Sequence, residues 1–198
     1  MRKVGLTGGI GSGKSIICRI YTLLGVPVFH SDMEARRIMD RDPSIRLKII
    51  ERFGEEIYTD NKLDRNKLAG LVFSDQKKLH SLNSIVHPVV SRAFELWLQC
   101  LEDEAYIIKE AAIIFESGTD SNLDCVITVT APVDIRIKRI IARDGVEESM
   151  VLDRIKSQMS EEELISRSQH VIVNDGSQMV IPQVLDLHRQ FLEMAAGN

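Results

Sequence analysis

The chain has 198 residues, 44% of them hydrophobic, with 25 Lys and Arg against 29 Asp and Glu. That is enough for one compact domain with a subregion grafted onto it, and the net charge of −4 disfavours a dedicated nucleic-acid binder, whose affinity rests on a basic excess. Cys18, Cys100 and Cys125 form no CxxC pair and fit reduced thiols better than a disulfide framework or a zinc site. No apolar run approaches the roughly 18 residues of a membrane span, and Met1-Arg2-Lys3 leads into glycines rather than into the apolar segment of a signal peptide. The expectation is a cytoplasmic chain, monomeric or a small homo-oligomer, with no nucleic-acid or membrane partner.

Val4-Gly5-Leu6-Thr7 reads as a buried strand that turns at Gly8-Gly9. From Ser15, the residues Ile16, Ile17, Ile20, Leu23 and Leu24 keep helical spacing as far as Gly25. Pro27-Val28-Phe29 is a second short apolar run, ending at His30-Ser31-Asp32. Helical signals then dominate: Arg36 to Asp40, Ile45 to Phe53, Asn66 to Val72, and Lys77 to Leu98. Pro43, Gly54 and an Asp60-Asn61 turn separate them, and His87-Pro88 is expected to interrupt the longest, because proline disfavours a helical residue before it. Strand signals return at Tyr106-Ile107-Ile108 and Val126-Ile127-Thr128-Val129. A basic helix runs from Pro132 to Arg143 and ends at Asp144-Gly145, and another reaches about Ser157. Val171-Ile172-Val173 is a last strand, and Ile181 to Ala195 a last helix.

Strands alternating with helices predict an α/β fold, a parallel sheet with helices on both faces. The helical block between the second and third strands is too long for a simple crossover and reads as a substrate region. The expected division is a nucleotide-binding core over 1–31, 104–131 and 168–198, a helical substrate-binding insertion over 32–103, and a lid over 132–167.

Gly8-Gly9-Ile10-Gly11-Ser12-Gly13-Lys14-Ser15 matches G-x-x-x-x-G-K-[ST] between a strand and a helix. Glycines let the backbone curl so that N–H groups point at phosphate oxygens, and the helix N-terminus adds partial positive charge. Lys14 is expected on the β- and γ-phosphates of ATP and the Ser15 hydroxyl on Mg²⁺. An N-K-x-D string, the base-reading motif of guanine-nucleotide switches, occurs at Asn61-Lys62-Leu63-Asp64. It lies before the third strand and no solid apolar run precedes it, so it reads as a polar turn before a helix.

Asp32 follows the second strand at its carboxyl end, the edge where open parallel sheets bind ligands. It reads either as a base that accepts a proton from an acceptor hydroxyl or as a helix N-cap. Arg136, Arg139 and Arg143 share one helix face at i, i+3 and i+7, beside Lys138. That face suits phosphoryl neutralisation or plain solvation. His87 reads as a structural hydrogen-bonder or a binding residue. Asn174-Asp175-Gly176 reads as a turn, or as one that touches the adenine.

Together these pieces resemble the dephospho-CoA kinase family over essentially the whole chain. The resemblance rests on Leu6 through Ser15, on Leu63-Asp64-Arg65, Leu68, Val72-Phe73, Leu82-Asn83 and Ile85-Val86-His87-Pro88, and on Ile113-Ile114-Phe115-Glu116. It continues through Lys138-Arg139, Arg143-Asp144, Arg154, Gln158 and Asn174-Asp175-Gly176. His30-Ser31-Asp32 is similar to the family's D-x-D element with His30 in the place of the first Asp, and Ile16 replaces a frequent threonine. The resemblance implies a P-loop kinase-type sheet with a substrate insertion and a lid. It implies ATP-dependent phosphorylation of the ribose 3′-hydroxyl of dephospho-CoA, the last step of coenzyme A synthesis. In that reading Asp32 is the base, Arg139 clamps the transferred group, Arg143, Asn174 and Ile16 border ATP, and Arg65 and His87 hold dephospho-CoA.

Overall fold

The structure, a computed structural model, describes residues 1–59, 62–73 and 75–197. The chain divides into two compact units, one formed by Met1–His30 with the chain from Asp103 onward, the other by Ser31–Glu102.

In the first unit, among the described residues, five strands form one sheet in the order β2-β5-β1-β6-β7, with every pairing parallel. They are β1 (Arg2–Thr7), β2 (Val28–His30), β5 (Tyr106–Glu110), β6 (Cys125–Thr130) and β7 (His170–Val173). The central strands read as continuous apolar runs because both faces are covered. On one face Val4, Leu6, Tyr106, Ile108, Ile127 and Val129 pack with helices α1 (Lys14–Leu23) and α9 (Val180–Ala196). Ile17, Tyr21, Val184 and Phe191, each fully buried, are the helical share of that layer, and burying such side chains contributes about 1.5–3 kcal/mol apiece. A second cluster gathers Ala111, Ile114, Phe115 and Val126 with Leu164 of α8 (Glu161–Arg167).

Helix α1 stops where its geometry says it must. Gly25 has φ 81°, its N–H bonds to the Thr22 carbonyl and that of Val26 to Tyr21, the left-handed cap that ends many helices. Two further helices complete this unit, α6 (Val133–Asp144) and α7 (Glu148–Lys156).

The second unit is helical. It contains α2 (Ser31–Arg41), α3 (Pro43–Phe53), α4 (Arg65–Phe73) and α5 (Gln76–Gln99), plus a short antiparallel pair, β3 (Tyr58–Thr59) with β4 (Lys62–Leu63). The three shorter helices pack on α5, whose Val86, Val90 and Phe94 are buried. Asp42 caps α3, accepting from the Ser44 and Ile45 amides, with Pro43 at the first helical position, where no N–H is needed.

Several expectations change here. Helix α5 runs unbroken through Pro88. The carbonyl released by the missing proline N–H is that of Ser84, and both residues are exposed, so water can satisfy it. The buried stripe on the other side outweighs the proline cost of about 3 kcal/mol. Helix α8 was not expected, although Ser160 and Glu163 carry a capping signature; the Ser160 hydroxyl accepts from the Glu163 amide. The β3–β4 pair was also unforeseen, and its Asp60-Asn61 turn, with the first residue of the N-K-x-D string, lies outside the described residues. Lys62 and Leu63 of that string form strand β4 rather than the polar turn expected, while Asp64 accepts from the Asn66 and Lys67 amides at the head of α4. Among the described residues no helix is long and apolar enough to cross a membrane.

Candidate active site

The loop from Gly8 to Gly13 leaves the carboxyl end of β1 and enters α1, with Gly13 left-handed at φ 100° as the residue before the helix. Its carbonyl oxygens are all taken by the protein. Gly8 accepts from Lys14 Nζ at 2.6 Å, and Gly9 from the Ser12 amide at 3.1 Å. Ile10 accepts from Arg136 Nε at 2.9 Å. Gly11 and Ser12 accept from Arg139 at 3.3 and 3.4 Å, and Ser12 also from Asn174 Nδ2 at 2.8 Å. Gly13 accepts from Ile16 and Ile17.

The donors tell the opposite story. Among the described residues the amides of Gly9, Gly11, Gly13 and Ser15 have no protein acceptor. The Ile10 amide is the exception, donating to Gln158 Oε1 at 2.8 Å. A trans peptide points its C=O and N–H in opposite directions. Holding the Ile10 and Ser12 carbonyls therefore aims the Gly11 and Gly13 N–H groups the other way. The result is a concentration of oriented N–H donors at a helix N-terminus, which is an anion site.

Among the loop glycines, Gly11 would set a Cβ against the Arg136 backbone carbonyl. A Cβ on Gly8 would fall inside van der Waals distance of the Val129 carbonyl, and one on Gly13 would strike the Asn174 amide.

The three α6 arginines do not share one environment: Arg143 is solvated, whereas Arg136 and Arg139 turn to the phosphate loop. Arg136 is buried at 5% exposure and its NH1 lies 3.7 Å from Glu161 of α8. Burial lowers its pKa, with Glu161 opposing. Arg139 spends its guanidinium on Gly11, Ser12 and the Asn174 carbonyl, the last at 3.0 Å. Arg143, one turn on, is exposed and forks onto Asp144 at 2.7 and 2.9 Å. That bond raises the arginine pKa and holds the Asp144 carboxyl below its usual range. The helix faces the phosphate loop through its first two arginines because both residues project toward β1 and β7 rather than outward.

Asn174 belongs to this cluster, its own amide bonding to the Thr130 carbonyl. Ile16 is 57% exposed beside the loop, and Ser15 is exposed at the helix start. In the second unit, Asp32 lies half-buried in the first turn of α2. Because the helix begins at Ser31, Asp32 sits inside it and is not its N-cap. Arg65, at the head of α4, pairs with Asp40 at 2.5 Å, and His87 is half-buried on α5.

Compared with known proteins, residues 2–179 match the family model of dephospho-CoA kinase. The chain belongs to the dephospho-CoA kinase family. A Bacteroides fragilis dephospho-CoA kinase is 40% identical over 93% of this chain and 90% of its own. The crystal structure of a Thermus thermophilus protein superposes with a TM-score of 0.87 at 34% identity, covering 96% of this chain and 97% of that one. A dephospho-CoA kinase from Campylobacter jejuni does so at 0.68 and 28%, covering 99% and 98%. The fold is accordingly the kinase-type parallel sheet expected.

For a member of this kinase family, the sequence leaves the contacts of three side chains unread. Its spacing leaves Arg136 open to phosphoryl neutralisation or solvation and does not show that it is buried against the Ile10 carbonyl. Gln158 was noted only for its resemblance, with nothing to say that it reaches Ile10. Glu110 was missed, although a Lys-Glu pair closing the apolar run Tyr106-Ile107-Ile108 is a readable signal. The register sets Glu110 beside Leu6 on one side and His30 on the other, and His30 Nδ1 lies 3.2 Å from its Oε2. Cys18, on the buried face of α1, is no nucleophile candidate: burial foremost, then Glu110, pushes its thiol up to about 12.

Proposed function

We propose that the chain transfers the γ-phosphoryl group of ATP to the ribose 3′-hydroxyl of dephospho-CoA, releasing coenzyme A and ADP. The observation that carries this reading is the phosphate loop of a dephospho-CoA kinase family member, with its carbonyls bound by protein and its Gly9, Gly11, Gly13 and Ser15 amides unspent among the described residues.

In this mechanism the loop amides and Lys14 hold the ATP phosphates and offset the charge that spreads over the transferred group. Asp32 accepts the proton of the 3′-hydroxyl as its oxygen bonds to the γ-phosphorus, and the bond from phosphorus to the β,γ-bridging oxygen breaks, leaving ADP. Arg65 and His87 hold dephospho-CoA in the helical region 32–103, and the segment 132–167 closes over ATP. Ile16, Arg143 and Asn174 border the nucleotide. Arg139 is committed to four acceptor atoms on Gly11, Ser12 and Asn174, so it clamps a phosphoryl oxygen only by giving some of them up.

The donor set fits Mg²⁺. Among the described residues no cluster of three or more His, Cys, Asp or Glu forms a cage, whereas Mg²⁺ in such sites is held mainly by substrate phosphates and water. The exposed Ser15 hydroxyl at the start of α1 would be its protein ligand. When bound it would neutralise phosphate charge.

The test is ADP release by purified protein with MgATP, with and without dephospho-CoA, and the product followed by mass. Strong stimulation with one phosphoryl group added at the 3′ position supports the assignment. Folded, ATP-binding protein that shows no stimulation refutes the acceptor.

A further inference from the structure

Ile10 is held at both of its peptide groups by side chains from one stretch of chain. Arg136 of α6 takes its carbonyl and Gln158, in the α7–α8 connection, takes its amide. The Gly9–Ile10 peptide is thereby used at both ends, since the Gly9 carbonyl accepts from Ser12. Its N–H is the one that differs from those of Gly9, Gly11, Gly13 and Ser15, because the protein supplies its acceptor.

Gln158 does not reach Ile10 by chance of a loose loop. The next residue, Met159, donates its amide to Glu116 Oε1 at 3.3 Å. Ser160 caps α8, and Glu161 reaches back to the same Arg136 that holds the Ile10 carbonyl. The α7–α8 connection is thus tied on one side to Glu116, in the turn that follows β5, and on the other to the arginine that holds the phosphate loop.

We infer that Gln158 is a positioning residue for phosphate binding: by fixing the Gly9–Ile10 peptide it presets the loop so that the neighbouring N–H groups converge on the phosphates. This rests on the ATP reading of the loop. The physical gain is preorganisation, since a loop already shaped for its ligand loses less entropy on binding it. Gln158 touches no reacting atom in this account, and its effect passes through Ile10.

The experiment uses the full chain with Gln158→Leu, which keeps bulk and removes the acceptor, and Gln158→Glu, which keeps an acceptor oxygen. Ile10 amide exchange is followed by NMR without nucleotide, and binding of a non-hydrolysable ATP analogue and of ADP by calorimetry. Unfolding midpoints establish that each variant is folded.

Gln158→Leu is expected to expose the Ile10 amide to fast exchange and to weaken both nucleotides about tenfold, the scale of one lost hydrogen bond. Gln158→Glu is expected to keep the Ile10 amide slow, a rescue that a merely structural role of the connection would not produce. Unchanged Ile10 exchange or unchanged nucleotide affinity in Gln158→Leu overturns the inference. Tighter binding overturns it too, because Gln158 would then be a plug competing with the phosphates. If the wild-type chain binds neither nucleotide, the ATP reading fails, and the exchange data still report separately on whether Gln158 holds the loop.

Discussion

Replacing Gly13 by alanine tests how the phosphate loop is held, provided that Gly25→Ala is measured beside it. Both glycines have positive φ, 100° and 81°, so both variants suffer the left-handed backbone cost of about 1–2 kcal/mol. They differ in surroundings. A Cβ at Gly25 meets nothing within 4 Å, whereas one at Gly13 drives into the Asn174 amide. The Asn174 side chain must then leave the Ser12 carbonyl, a 2.8 Å bond, and loosen the contact of its Oδ1 with Arg139. Each such bond contributes roughly 0.5–1.5 kcal/mol. Gly13→Ala is therefore expected to lose roughly 2–4 kcal/mol and Gly25→Ala about 1–2 kcal/mol, read from urea unfolding with m held constant. Only Gly13→Ala should also weaken ADP binding, because only there do the loop carbonyls lose their clamps. Equal losses at the two positions, or a Gly13→Ala protein with full stability and full ADP affinity, would refute the account of Asn174 as part of the loop's frame.

Other outcomes follow from single features. Asp32→Asn is expected to lower turnover with dephospho-CoA by a factor of about 10²–10⁴ while ATP binding survives; undiminished turnover would remove Asp32 from proton transfer. Pro88→Ala restores an N–H toward the Ser84 carbonyl in an exposed stretch of α5 and should raise stability by roughly 1–3 kcal/mol, with a fall in melting temperature as the contrary result. His170, on β7 against Phe191 with ring centroids 5.3 Å apart, has its pKa lowered by burial. The unfolded chain then binds the proton first, so stability drops as pH falls through the ordinary histidine value of about 6.5 and levels off below the folded pKa. His170→Asn should show a shallower loss between pH 7.5 and pH 5 in the same unfolding assay, and parallel curves would exclude His170 as a contributor.

The parallel sheet was legible because its strands are short apolar runs closed by turn residues, and because Gly8 to Ser15 has a spacing that serves few purposes other than phosphate binding. Helix α8 carried its signal in Ser160 and Glu163, but with Leu164 as its single buried residue its apolar periodicity is too brief to stand out. The Pro88 expectation failed for a tertiary reason, since a local rule about proline gives way when the opposite helix face is buried. Arg136 and Arg139 show the deeper limit. Their i, i+3 spacing establishes that they share a face, and nothing in that spacing says what the face meets. Only the sheet order, which sets β6 beside β1 and β7 beside β6, brings α6 to the carbonyl side of the phosphate loop.

The same sheet order explains the departure at His30. The resemblance calls for a carboxylate there, and its absence looks like a loss when the chain is read in one dimension. In the sheet β2 lies beside β5, and Glu110 stands directly across from residue 30. Glu110 is 9% exposed, so a carboxylate at residue 30 would set like charges close together where water screens poorly, which raises the cost of ionising both. Histidine makes the contact a donor–acceptor pair at 3.2 Å and leaves the Glu110 carboxyl group at the carboxyl edge of the sheet. The carboxylate at that edge stands on the adjacent strand, eighty residues from His30 in sequence, a relation that becomes visible only once the register of β2 and β5 is known.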